Sequence, residues 1–160
     1  MALKTVLTAL AFAGWATAAT AAEPTAPPAT PGGKALVARQ AHFREQNAAF
    51  KALGEDLRKE PADKAALADA AARLKAIAAD LPTWFPKGSG PETGLKTAAK
   101  AEIWTDAEGF AAAATNFQAE TAKLEQLATA GDLDAAKAQA RATTAACKAC
   151  HDKYRAAEGR

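Results

Sequence analysis

The sequence predicts an all-α domain, an antiparallel four-helix bundle. Apolar residues recur at steps of three and four through four long segments, the period of an amphipathic helix. Alanine and other strong helix formers dominate, while β-branched residues are few. After Gly33, glycine and proline concentrate between Leu81 and Gly94, so the segments on either side run without interruption.

The first helix is expected from about Ala35 to Lys59. Leu36, Phe43, Phe50 and Leu57 repeat every seven residues, Leu53 fills the same face, and Pro61 closes the segment. The second starts near Ala62, with Leu67, Ala71, Leu74, Ala78 and Leu81 on one face, and stops at Pro82. A long loop to about Ala101 contains Trp84, Phe85 and Gly88-Ser89-Gly90-Pro91; loops of that size are usually functional or wrapped over something. The third helix is expected to start at an N-cap Thr105, with Glu108 completing a capping box, and to end at Gly131. Its inward face reads Phe110, Ala114, Phe117, Thr121 and Leu124. Asp132 caps the fourth helix, whose inward face reads Leu133, Ala136, Ala140, Thr143, Cys147, Cys150 and Tyr154. Alanine and threonine leave that side of the bundle underfilled, which calls for an inserted planar, apolar group.

Residues 1–22 have the layout of a secretory signal: Lys4 in a short basic start, an apolar run to Ala16, then small residues to Ala22. The apolar run is shorter than the ~20 residues of a spanning helix. Residues 23–33, with Pro24, Pro27, Pro28 and Pro31, read as an extended tether, leaving 34–160 as the folded domain. The formal charge of +2 loses Lys4 with the signal. Acids and bases are interspersed without a basic stripe, so nucleic acid is not an expected partner, nor is a membrane once the signal is removed. No pairing of nucleophile and base appears, and an enzyme is not expected.

The only two cysteines stand in Cys147-Lys148-Ala149-Cys150-His151, the C-x-x-C-H attachment signature of c-type haem. On a helix, residues three apart share a face, so two thiols can reach the two vinyl groups of one porphyrin edge. His151, four residues beyond Cys147, points the same way and can supply an axial imidazole to the iron. A disulfide, a thioredoxin-like pair and a zinc site compete for the motif. The second lacks its βαβ setting, and the third lacks ligands, since His42 is the only further Cys or His. The expected cofactor is one covalent haem c.

A sixth protein ligand would ordinarily be Met or His. The single methionine is Met1, lost with the signal. His42 lies beside Phe43, off the inward stripe, as adjacent helical positions are ~100° apart. A five-coordinate iron with an apolar open side closed by Phe43 is the expectation, although ligation by His42 or a lysine stays conceivable.

From Ala35 to Arg155 the chain resembles the cytochromes c′, a class of c-type cytochromes. The resemblance rests on Cys147 to Arg155 (Cys-Lys-Ala-Cys-His-Asp-Lys-Tyr-Arg), on Glu102-Ile103-Trp104, and on Arg39 with Phe43. It implies a left-handed bundle, a high-spin five-coordinate haem, a periplasmic location and often a homodimer. It also implies binding of nitric oxide or carbon monoxide. Carried over by position, Arg39 approaches a haem propionate, Phe43 occupies the distal position and Arg155 stands near the fifth ligand. Spacing alone adds that Arg39 shares a face with Phe43, and that Arg155 beside a cationic haem would raise its reduction potential. Otherwise Arg39 would form a surface ion pair with Glu45 or another acid, and Arg155 would snorkel at the terminus. Trp104 and Tyr154 are taken as haem-packing candidates, with core or rim aromatics as the alternative.

Two functions from different classes follow. One is a gas-binding haem protein, its crowded open side favouring diatomic ligands. The other is a low-spin, hexacoordinate periplasmic electron carrier that exchanges electrons with a redox partner.

Overall fold

The computed structural model describes residues 29–157. The expected signal and the first part of the tether lie outside the described residues. The helices are α1 (Pro31–Asp56), α2 (Lys64–Asp80), a single-turn α3 (Glu102–Thr105), α4 (Ala107–Ala130) and α5 (Leu133–Tyr154). The four long ones form the expected four-helix bundle. Close packing runs α1 on α2, α2 on α4 and α4 on α5. No described helix is long and apolar enough to cross a membrane.

α1 begins four residues earlier than the apolar period suggests, so Pro31, Gly32 and Gly33 belong to the helix and not to the tether. Thr30 is the N-cap, its hydroxyl accepting from the Gly33 amide at 3.1 Å. Pro31 sits where its missing N–H would have been unpaired anyway. Gly32 is required by a close approach: a Cβ there would lie 1.8 Å from the Gly88 carbonyl oxygen. The first turn of α1 is thereby docked on the loop after α2.

The buried stripe of α1 also differs from the seven-residue repeat. Leu36, Arg39, Gln46, Ala49 and Leu53 are buried, while Phe43 and Phe50 are half-buried on the flank. The physical reason is that α1 packs closely on α2, while its flank towards α5 stays open. The helix stops at Asp56, which is paired with Lys59.

α2 follows its expected face, with Leu67, Ala71, Leu74 and Ala78 wholly buried. Asp63 caps it, Oδ1 accepting from the amides of Ala65 and Ala66. Full burial of a leucine such as Leu67 or Leu74 contributes about 1.5–3 kcal/mol relative to exposure. The core divides in two. An aliphatic half contains Leu53, Leu67, Leu74 and Leu124. An aromatic half contains Trp84, Ile103, Phe110, Phe117 and Tyr154.

The cap of α4 is Asp106 and not Thr105: its Oδ1 accepts from the Gly109 amide at 3.2 Å. Thr105 completes α3 instead, so its backbone is already helical and cannot serve as an N-cap. Gly131 ends α4 at φ 71°, the left-handed cap expected of glycine, and Asp132 caps α5 through the Ala135 amide. α5 ends where the chain turns back along residues 98–100, with Lys100 N–H donating to the Tyr154 carbonyl and Ala156 N–H to that of Ala98.

The α1–loop contact is testable. Gly32→Ala should cost about 1–3 kcal/mol, the usual penalty of overpacking against an unyielding group. An unchanged midpoint in denaturant unfolding would show that this turn is not docked on Gly88.

Candidate functional site

α5 carries two adjacent stripes. Ala136, Gln139, Thr143, Ala146 and Tyr154 are buried, the side that packs on α4. Ala140, Cys147, Cys150 and His151 are half-buried beside them, and the inward face expected from sequence is a blend of the two. Ala140 and Thr144 line a cleft of about 630 Å³ whose opposite wall is Phe50, Leu53 and Gly54 of α1 and Leu57 just after it. Cys147 stands one turn beyond Thr144 on the same face.

Cys147 and Cys150 pack against the aromatic half of the core and are not bonded to each other. Burial pushes the Cys147 thiol up to about 11, with the nearby Cys150 adding to it, and burial raises Cys150 as well. Redox and zinc-binding cysteines run in the opposite direction. Among the described residues no three His, Cys, Asp or Glu side chains converge as an ion would require. Two neutral thiols on one helical face, beside a cleft between α1 and α5, fit an extended flat group joined at one edge. A haem is such a group, and these residues fit it.

His151 is pushed below the ordinary imidazole value by burial first, then by the charge of Arg155, with Asp152 opposing. Burial thus favours the neutral imidazole, the form that offers a lone pair. Arg155 itself is exposed at the end of α5, its N–H donating to the His151 carbonyl.

Arg39 is 3% exposed, so the surface ion pair is not its arrangement. Nη1 donates to the Trp84 carbonyl at 3.1 Å and to Ser89 Oγ at 2.9 Å, and Nη2 donates to the Ser89 carbonyl at 2.8 Å. The guanidinium lies over the Phe85 ring at 4.7 Å, with Trp104 at 5.9 Å. Burial lowers its pKa, and Glu92 opposes that shift.

Phe43 meets Trp84 edge-on at 5.3 Å and Phe85 at 6.2 Å. His42 stacks flat on Trp84, ring centres 4.7 Å apart. It lines a separate small cleft with Ala35, Ala38, Thr83 and Pro86, on the side of α1 facing the turn after α2. Trp104 donates from Nε1 to the carbonyls of Phe85 and Pro86. Tyr154 packs on Phe110, and its hydroxyl donates to Asp106 Oδ2 at 2.7 Å. Thus Phe43, Trp104, Tyr154, Cys147 and Cys150 all meet one aromatic cluster.

Sequence reasoning passed over three residues. Ser89 is fully buried under Arg39, Asp106 joins α4 to the end of α5, and Gln46 is buried on α1. Only Asp106 had a local signal, as a second good cap beside Thr105.

Comparison with known proteins places this arrangement. The family described as Cytochrome C′ matches residues 34–155. Cytochrome c′ of Rubrivivax gelatinosus is 44% identical over 68 residues, 42% of this chain and 53% of that protein. Cytochrome c′ of Alcaligenes xylosoxydans is 37% identical over 121 residues, 76% of this chain and 87% of that one. The solved nitric oxide complex of a variant of cytochrome c prime from Alcaligenes xylosoxidans superposes with a TM-score of 0.72 at 30% identity. It covers 79% of this chain and 97% of that one.

Asp106 generates a pH prediction. Its carboxyl is held below the ordinary value by hydrogen bonds from Lys153 first, then Tyr154, with the Gly109 amide adding. A depressed folded-state pKa contributes stability that is complete above the unfolded value and lost as pH falls through the folded one. Thermal unfolding of Asp106→Asn should therefore lie below the native protein at pH 7, the gap closing as pH drops below about 4. Parallel curves across that range would contradict the assignment.

Proposed function

This chain belongs to the cytochrome c′ family, and from that premise we propose that it is an exported, periplasmic gas-binding cytochrome. One covalently attached haem c is the family's cofactor. It supplies an iron that can take a small ligand or an electron. Cys147 and Cys150 would hold the porphyrin edge, and His151 would give the iron its protein ligand from α5. Arg39, with N–H groups left over from its three loop contacts, is available to pair with a propionate. Trp104 and Tyr154 stiffen the aromatic wall. Arg155 adds positive charge beside His151, which favours the reduced iron.

The observation that carries the reading is the position of His42. Flat against Trp84 and lining the cleft towards the α2 side, it is occupied away from the α1–α5 opening. The other usual ligand, methionine, occurs only as Met1. The iron would then be open to a small external ligand, with Phe43 on the α1 side as the steric limit on size. That a relative has been solved with nitric oxide supports the same chemistry here. Binding of nitric oxide or carbon monoxide is the proposed activity, without catalytic turnover. Electron exchange with a periplasmic partner and pairing into a homodimer accompany it as secondary proposals. A low-spin electron carrier ligated by His42 would require that stack to be broken.

Rates of carbon monoxide association separate the roles of the two α1 residues. Phe43→Ala should open the approach and speed association, while His42→Ala should leave it unchanged. A His42→Ala variant that gains carbon monoxide binding absent from the native protein would instead identify His42 as the sixth ligand.

A further inference from the structure

Gln46 is 6% exposed, and its Oε1 is the one buried side-chain oxygen or nitrogen among the described residues with no hydrogen-bond partner. The other buried neutral polar side chains are satisfied. Thr121 donates to the Phe117 carbonyl, Thr143 to that of Gln139, Gln139 to that of Glu120, and Ser89 to that of Pro86. An unpaired buried polar group costs about 1–3 kcal/mol, so leaving one in an alanine-rich core calls for a partner that the polypeptide does not supply.

Its position says which partner. Gln46 belongs to the buried stripe of α1 and borders the flank that carries Phe43 and Phe50, three residues after the first and four before the second. Phe43 and Phe50 both pack against the aromatic cluster that Cys147 and Cys150 also meet. Phe50 further lines the cleft between α1 and α5. Gln46 thus neighbours the two α1 phenylalanines that meet the same cluster as the thiols of α5.

We propose that Gln46 is a specificity-determining residue for the gas ligand, its amide forming a hydrogen bond with a diatomic molecule held opposite His151. This rests on the gas-binding reading and departs from the expectation of an apolar open side. A carboxamide has both a donor and an acceptor end, exchanged by half a turn of its last bond. The –NH2 end suits carbon monoxide or nitric oxide, which can only accept. The oxygen suits a water that occupies the space when no gas is present. Phe43 then sets the size of the ligand, and Gln46 favours one that accepts a hydrogen bond.

The test uses the ferrous holoprotein with carbon monoxide as probe, comparing native protein with Gln46→Leu by infrared spectroscopy and by ligand dissociation. A donated hydrogen bond lowers the C–O stretching frequency, so the variant should absorb at higher wavenumber. It should also release the gas roughly fivefold faster, the ratio matching one net hydrogen bond of ~1 kcal/mol. Gln46→Met, unbranched and similar in length, is read in the same way should the leucine variant not fold. Identical stretching frequencies in native protein and variant overturn the role of Gln46 while leaving gas binding intact. A native holoprotein that takes up no carbon monoxide overturns both.

Discussion

The guanidinium of Arg39 is the interaction on which most of the site depends. A buried cation is costly unless its N–H groups are matched, and here the partners come from one loop: the Trp84 carbonyl and both oxygens of Ser89. Satisfying Arg39 therefore draws the segment after α2 onto α1. Gly32 permits the same approach from the first turn of α1, where only a missing side chain lets the Gly88 carbonyl in. Once the loop is held, its aromatic side chains have little freedom. Trp84 covers His42 and Phe43, Phe85 lies between Phe43 and Phe110, and the carbonyls of Phe85 and Pro86 receive the Trp104 indole. The wall facing the thiols is thus assembled from a charge buried on a different helix.

The second constraint is the absence of α1–α5 from the closely packed helix pairs. α4 takes one stripe of α5, and the next stripe, bearing Cys147, Cys150 and His151, is left half-open beside a cleft walled by α1. On the α5 wall of that cleft the short side chains of Ala140 and Thr144 leave it unfilled. The same shortage of bulk leaves room for a flat prosthetic group beside α1. Asp106 secures the far end, capping α4 while accepting from Tyr154 at the last turn of α5, next to His151.

What could be read from sequence follows the range of the interactions involved. Cys147-x-x-Cys150-His151 is legible because five adjacent residues on one helix form the whole attachment signature. Gly131 and Asp132 are equally local: a left-handed cap and an N-cap declare themselves by residue type. The start of α1 was hidden because Pro31-Gly32-Gly33 reads as a breaker until Thr30 caps it and Gly88 is found beside it. Thr105 and Asp106 are adjacent residues of comparable capping strength, and the choice between them is made by α3 running through Thr105. Arg39 and Gln46 lay furthest out of reach. The partners of Arg39 are 45 and 50 residues away, and the side-chain oxygen of Gln46 is buried without a hydrogen-bond partner among the described residues.

The central claim is that the iron is held by His151 alone, leaving the side towards α1 open to a small ligand. The absorption spectrum of the exported ferrous holoprotein, recorded before and after carbon monoxide, addresses it most directly. The account predicts a broad high-spin spectrum that shifts when the gas is added. A sharp low-spin spectrum indifferent to carbon monoxide would contradict it, revealing a sixth protein ligand and an electron carrier in place of a gas-binding protein.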